Sequence, residues 1–293
     1  ISLEELPEQL FDVYRKLGII SQRPTRYARE RWLDALTYEV ANEFSRYSRQ
    51  RASLENLGLV GVDYEFLDDI GKDERFLQVA KEAGLTPDVA LVLVRAVLDV
   101  MRKNRAIDYK FFQEYIDPDQ NHHYREMESE PYNVRFPDRD RSPKAFALDR
   151  PDHIRKTGRL MGFVQENPHA GQMTATQKLV ARLTGNRETA ERFLRGIVPL
   201  LEEYEVLVHV SQFPIPRNER VLGLHPLQIS HCVIRLYAPV EGYRCNACQT
   251  WRPYFLPTCP TPKCNNGRLI PQTVDADNYY VRLYLERPPQ RLM

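Results

Sequence analysis

The chain has 293 residues, 42% hydrophobic and 28% charged, with no apolar run near the length of a helical membrane span. This is the composition of a soluble globular protein rather than of a helical membrane bundle, and the length allows two or three domains with cores of their own. The formal net charge of +1 hides an asymmetry: residues 151–293 carry 18 Lys and Arg against 12 Asp and Glu (+6), whereas residues 1–150 carry 23 against 28 (−5). The C-terminal half is therefore the better candidate for a polyanionic partner.

Residues 1–117 read as a helical domain. From Arg26 to Tyr47, the side chains Trp32, Leu33, Leu36, Val40, Phe44 and Tyr47 recur at three- and four-residue steps, one face of an amphipathic helix. Thr86-Pro87-Asp88 predicts a helix start, with Thr as N-cap, Pro at N1 and Asp on the dipole-favoured first turn. Its apolar face runs Val89, Val92, Leu93, Ala96, Val97, Val100. Between them, Leu54 to Val60 reads as a helix end with Gly58 at the C′ position, followed by a short strand through Tyr64. The arginine series of residues 23–31 and 46–51 read as solvated helix faces. Residues 118–150, dense in proline and in charge of both signs, read as a linker or irregular strap that Phe136 and Phe146 pin to a surface.

Residues 151–230 read as a winged-helix-like domain. Met173-Thr174 caps one helix, Thr184-Gly185-Asn186 is a turn, and Arg187 to Tyr204 is a second helix. A strand from Val206 to Val210, a wing loop from Phe213 to Glu219 and a return strand from Arg220 to Leu224 follow. If the unit binds nucleic acid, Arg187, Arg192 and Arg195 lie on or beside the recognition helix, with Arg217 and Arg220 at the wing. A unit that only packs on a neighbour fits the same pattern, and Pro199 within the second helix favours it.

Residues 231–293 hold a strand from Val233 to Tyr237, two cysteine knuckles and a last strand-like amphipathic stretch from Tyr279 to Leu285. Cys245-x2-Cys248, ten residues, then Cys259-x4-Cys264 is the spacing of a zinc ribbon, because each tight turn brings two thiolates to one metal. Lys263 and the Asn265-Asn266-Gly267 run fit a turn that aims backbone N–H groups at sulfur. Cys232 reads as a small apolar group in a strand, outside the metal shell. Cys248→Ala is expected to disorder the C-terminal segment and to spare residues 1–117. Trp251, Tyr254 and Phe255 sit beside Arg244, Arg252 and Arg268. That mixture suits either stacking on single-stranded nucleic acid or a small core that seals the ribbon to its neighbour.

There is no phosphate-cradling G-x-x-x-x-G-K-[ST] loop, no G-x-G-x-x-G after a strand and no local signature around a nucleophile, so no catalytic residue is assigned. The run Tyr243-Arg244-Cys245-x-x-Cys248, then Cys259 to Cys264, Gly267-Arg268-Leu269 and Asn278-Tyr279-Tyr280-x-Arg282-Leu283-Tyr284 resembles the zinc-bearing accessory segment of large bacterial superfamily-2 DEAD/DEAH-type helicases. These include helicases of phage-defence systems such as DISARM and Druantia, and their DNA-repair relatives. Residues 51–60 also resemble helicase accessory sequence. The match covers about a fifth of the chain and contains no motor motif. It implies a non-catalytic accessory region of an ATP-dependent helicase, with ATP binding and unwinding left to motor lobes of the same polypeptide or a partner subunit.

The expectation is a mainly α protein with small β content: a helical domain (1–117), a linker (118–150), a winged-helix-like domain (151–230) and a zinc ribbon with flanking strands (231–293). One zinc is expected on Cys245, Cys248, Cys259 and Cys264. Nucleic acid, DNA ahead of RNA, is expected on Arg187, Arg192, Arg195, Arg217, Arg220, Trp251, Arg252 and Arg268. An independent zinc-ribbon and winged-helix factor and a protein-binding scaffold are the alternatives. No secretory or transit segment is visible, which points to the cytoplasm. The start at Ile1 without methionine points to a piece of a longer polypeptide.

Overall fold

A computed structural model describes residues 1–45, 53–109, 112, 143–150, 160–165, 172–210, 224–239, 241–262 and 264–286. Helix predominates over strand. The first two helices, α1 (Leu6–Lys16) and α2 (Arg26–Phe44), pack on each other. The apolar face of α2 divides its work: Leu36, with Trp32 and Leu33 beside it, closes a small cluster with Phe11 and Ile20, while Val40 and Phe44 enter the main core. Helix α3 (Leu54–Leu57) starts at Ser53, whose Oγ accepts from the Asn56 N–H at 3.2 Å, and ends at Gly58, whose φ of +79° favours glycine. Strand β1 (Gly61–Tyr64) follows, then α4 (Leu67–Ile70) and α5 (Glu74–Glu82). Helix α6 (Pro87–Lys103) is capped by Thr86 as its sequence predicts. It is buried around most of its circumference from Leu93 onward, including Asp99 and Arg102.

Two departures from the sequence reading set the middle of the chain. Residues 145–150, expected to be linker, form strand β2 (Ala145–Arg150), which pairs in parallel with β3 (Leu160–Gln165). Phe146 does pin this segment, fully buried with its ring centroid 5.3 Å from that of Phe163; Phe136 lies outside the described residues. The expected order of helix, turn, helix and strand is present as α7 (Ala175–Thr184), the turn at Gly185, α8 (Arg187–Glu203) and β4 (Leu207–His209). Its wing loop and return strand fall largely outside the described residues. The antiparallel partner of β4 is β5 (Leu227–Ile229), which also pairs with β2, giving the sheet order β3-β2-β5-β4.

The C-terminal part is tied to the N-terminal part through the backbone. Strand β6 (Ile234–Tyr237) pairs antiparallel with β1, in the register Gly61↔Tyr237 to Tyr64↔Ile234. Strands β7 (Glu241–Cys245), β8 (Trp251–Arg252) and β9 (Leu269–Thr273) form a separate sheet in the order β8-β7-β9. The stretch from Tyr279, expected to be strand-like, is helix α9 (Tyr279–Glu286). The Asn278 Oδ1 accepts from the Tyr280 N–H at 2.9 Å, and Arg282 pairs with Glu286 one turn on. One cluster of buried apolar side chains runs from Leu3 through α6, the central sheet and α8 to Leu269.

Candidate metal centre

Cys245 ends β7, Cys248 closes the turn after it, and Cys259 and Cys264 come from the loop between β8 and β9. The four sulfurs all lie within 4.8 Å of one another. Cys245 Sγ is 3.7 Å from Cys264 Sγ, and Cys248 Sγ is 3.6 Å from Cys259 Sγ. A tetrahedron with metal–sulfur bonds near 2.3 Å has sulfur–sulfur edges of about 3.8 Å, whereas a disulfide needs about 2.05 Å. The spacing fits four thiolates around one cation and no disulfide. All four corners are protein sulfur, the arrangement of a structural rather than a catalytic site.

The surroundings are built for this geometry. Backbone N–H groups of Ala247 and Cys248 point at Cys245 Sγ (3.4 and 3.5 Å), and that of Thr261 points at Cys259 Sγ (3.5 Å). The donors are thus Ala247, Cys248 and Thr261 rather than the 265–267 run; Lys263 lies outside the described residues. Cys248 Sγ lies 3.2 Å from Thr250 Oγ1 and 3.8 Å from Thr261 Oγ1. A sequence signal for this was present, since Cys248-x-Thr250 and Cys259-x-Thr261 repeat each other. Gly267 sits over the cluster: a Cβ there would lie 2.5 Å from Cys264 Sγ and closer still to Cys245 Sγ. Burial works against the Cys248 thiolate, but Thr250, Cys245 and Thr261 outweigh it and bring the thiol down to about 6. Cys259 and Cys264 are pushed up, first by burial and also by the negative charge of neighbouring thiolates. Protonation relieves that repulsion, and so would a cation among the sulfurs.

The module is clamped to the rest of the molecule from two sides. From α7, Arg182 donates to the carbonyls of Cys259 (3.2 Å), Thr261 (3.3 Å) and Pro262 (3.0 Å) and to Asn265 Oδ1 (3.2 Å). From the N-terminal part, Arg244 donates to the Asn56 carbonyl at 3.1 Å, and the Trp251 N–H donates to Asn56 Oδ1 at 3.3 Å. The Trp251 indole fills a slot between Gly242, which leaves no room for a Cβ, and Gly58, where a Cβ would lie a tight 3.1 Å from the ring. Arg252 and Tyr254 then enter a buried polar cluster. Arg102, fully buried, donates to Glu55 (3.0 Å), Asp99 (2.8 Å) and the Tyr64 hydroxyl (3.0 Å). Lys103 pairs with Glu55, Arg252 lies 3.4 Å from Glu55, and the Tyr254 hydroxyl donates to Asp99 at 2.6 Å. Burial alone would raise the Glu55 and Asp99 carboxyls. Arg102 and Arg252 outweigh it at both, with Lys103 adding at Glu55, and hold them below the usual range. Lys103 is pushed down to about 8 by burial despite Glu55.

The expected nucleic-acid contacts separate. Trp251 is 1% exposed and Arg252 is 4% exposed, so neither presents a free face; Trp251 belongs to the core that seals the module. Arg195 is held by Asp149 (2.9 Å) and Glu191 (3.0 Å), and Arg187 is half-buried at the start of α8. Arg192 and Arg268 are exposed, and Arg217 and Arg220 lie outside the described residues. Sequence reasoning missed the recess beside the first knuckle, lined by Arg244, Asn246, Gln249, Ile270 and Gln272, which no single motif spells out. Cys232, expected inside a strand, is exposed in a 3-10 turn at His231–Val233. No helix of the described residues is long and apolar enough to cross a membrane. Comparison with protein-family models, with curated proteins and with solved structures finds no match.

Proposed function

We propose that this chain is a non-catalytic, zinc-stapled accessory region of an ATP-dependent DNA helicase, in phage defence or DNA repair, that contacts single-stranded nucleic acid beside its cysteine knuckles. The metal is zinc, because four thiolates in a closed tetrahedral set select it from the common divalent cations. In this reading β7 to β9 belong to a zinc ribbon, and α7, α8 and β4 to a winged-helix-like unit of residues 151–230. The observation that carries the proposal is the recess beside Cys245: amide and guanidinium groups of Asn246, Gln249, Gln272 and Arg244 surround Ile270, which is 52% exposed. Exposed Arg268 adjoins it, its N–H donating to Asn246 Oδ1 at 3.0 Å. An unstacked base needs an apolar floor, edge-reading amides and a cation for its phosphate.

The test is anisotropy of labelled single strands and duplexes against the full chain. Binding engages three or four phosphates, so log affinity falls with log salt at a slope of roughly −2 to −4. Arg268→Ala weakens it without loss of zinc. Trp251→Ala, by contrast, opens the ribbon and releases zinc. Absence of binding at low salt, or binding indifferent to Arg268 and Arg192, overturns this reading. One observation then favours a protein-binding scaffold: Tyr279, Tyr280, Tyr284 and Leu285 of α9 are 47–70% exposed.

A further inference from the structure

We propose that Glu4, His231 and Cys232 form a second metal site, for a borderline divalent cation of the zinc or cobalt type, independent of the cysteine knuckles. His231 and Cys232 are neighbours in sequence, and backbone pairing brings the distant Glu4 to them. Residues 1–3 lie antiparallel along β6: the Leu236 N–H donates to the Ile1 carbonyl at 2.8 Å, and the Leu3 N–H donates to that of Ile234 at 3.0 Å. Ser2 and Glu5 then bond each other reciprocally, Glu5 N–H to Ser2 Oγ (3.1 Å) and Ser2 N–H to Glu5 Oε2 (3.2 Å). This fixes the turn that carries Glu4 to the 3-10 turn of His231 and Cys232.

Opposite Glu4, Asp108 fixes the imidazole. Its own N–H donates to the Ile229 carbonyl at 2.9 Å. Its Oδ1 accepts from the His231 backbone N–H at 2.6 Å and stands 2.7 Å from His231 Nδ1. A carboxylate needs a donor, so in the neutral ring the proton sits on Nδ1 and the lone pair on Nε2. Nε2 is 3.6 Å from Cys232 Sγ and 3.9 Å from Glu4 Oε1, and Cys232 Sγ is 3.8 Å from Glu4 Oε2. A tetrahedral ion bound by sulfur, nitrogen and oxygen at 2.0–2.3 Å needs ligand–ligand edges of about 3.4–3.6 Å, so small side-chain movements close the triangle. Arg235, on β6, engages its guanidinium with Glu65 and with the Cys232 carbonyl rather than with a ligand atom. The thiolate and imidazole select zinc or cobalt over magnesium and calcium, and a carboxylate behind the ligating histidine is the usual outer support of such a site. Glu4 and Cys232 are exposed, so the fourth position is open to water, and the thiol proton is released to solvent on binding.

The test is a titration of the zinc-loaded full chain with Co2+, with zinc followed by elemental analysis to show that the knuckles keep theirs. One further equivalent of cobalt is expected, with a thiolate-to-cobalt absorption band that disappears in Cys232→Ser. His231→Gln abolishes the site, and Asp108→Asn weakens it by about 10–100-fold. If His231→Gln does not fold, Glu4→Gln, an exposed position, carries the same comparison. No second equivalent at millimolar Co2+, or binding unchanged in these variants, overturns the proposal.

Discussion

Gly267 makes the most specific demand of any single residue. Its Cα lies where any side chain would press on two sulfurs of the candidate metal cluster, Cys245 and Cys264, which could not yield without leaving a tetrahedral arrangement. Gly267→Ala should lower metal affinity at least tenfold in chelator competition while all four cysteines remain, and affinity equal to the parent would show that the loop shifts freely. Arg182→Ala should act more mildly, speeding metal release by loosening the Cys259–Asn265 loop, since the lost bonds are to neutral carbonyls and an amide oxygen. The four cysteines were readable in the sequence because local spacing suffices to bring thiolates together. Gly267 and Arg182 were not, because each acts through space on atoms that the fold alone brings near. Arg252 was misleading for a related reason: a cation in a loop reads as solvated until its buried carboxylate partners, 197 and 153 positions away in sequence, are known.

At the scale of elements, α3, α6 and β8 meet in the cluster of Glu55, Asp99, Arg102, Lys103 and Arg252. Arg102→Met keeps the volume but strips two buried carboxylates of their shared partner, which should cost about 3–5 kcal/mol in urea unfolding. A cost under about 1 kcal/mol would mean that Lys103 and Arg252 suffice. Glu55 and Asp99 are held below their ordinary values, so on acidification the unfolded chain takes up protons before the folded one. Their contribution is therefore intact above about pH 5 and lost as the pH falls further. Lys103, held down to about 8, works in a separate window: between there and its ordinary value of 10.5 the unfolded chain binds more protons, so stability rises with pH. Glu55→Gln should flatten the acid limb; an unchanged profile would place the acid sensitivity elsewhere. Helices α2, α6, α7 and α8 were readable from caps and periodicity. Strand β2 was hidden by the proline-rich run before it, and α9 by aromatic residues that favour strands in isolation.

At the scale of the whole molecule, the cysteine module is part of the main core rather than an appendage, which changes what metal removal does. Sequence reasoning expects loss of the metal to disorder only the C-terminal segment. Trp251, however, fills a slot against Gly58, and Arg252 and Tyr254 complete the partners of Glu55 and Asp99. A structural zinc site contributes on the order of 10 kcal/mol of apparent folding free energy, comparable to the whole stability of a domain. Withdrawing it frees the module and leaves two buried carboxylates short of a guanidinium and a phenol, a penalty that falls on α3 and α6. Chelation, or Cys248→Ala, should therefore lower hydrogen-exchange protection in α6 together with that of β7–β9, and lower the melting temperature of the whole chain. The α1–α2 contact, closed by Phe11, Ile20 and Leu36 in a cluster of its own, should keep its protection. If α6 exchanges as slowly without metal as with it, the buried charges are satisfied from within the N-terminal part, and the contacts of Arg252 and Tyr254 add little to its stability.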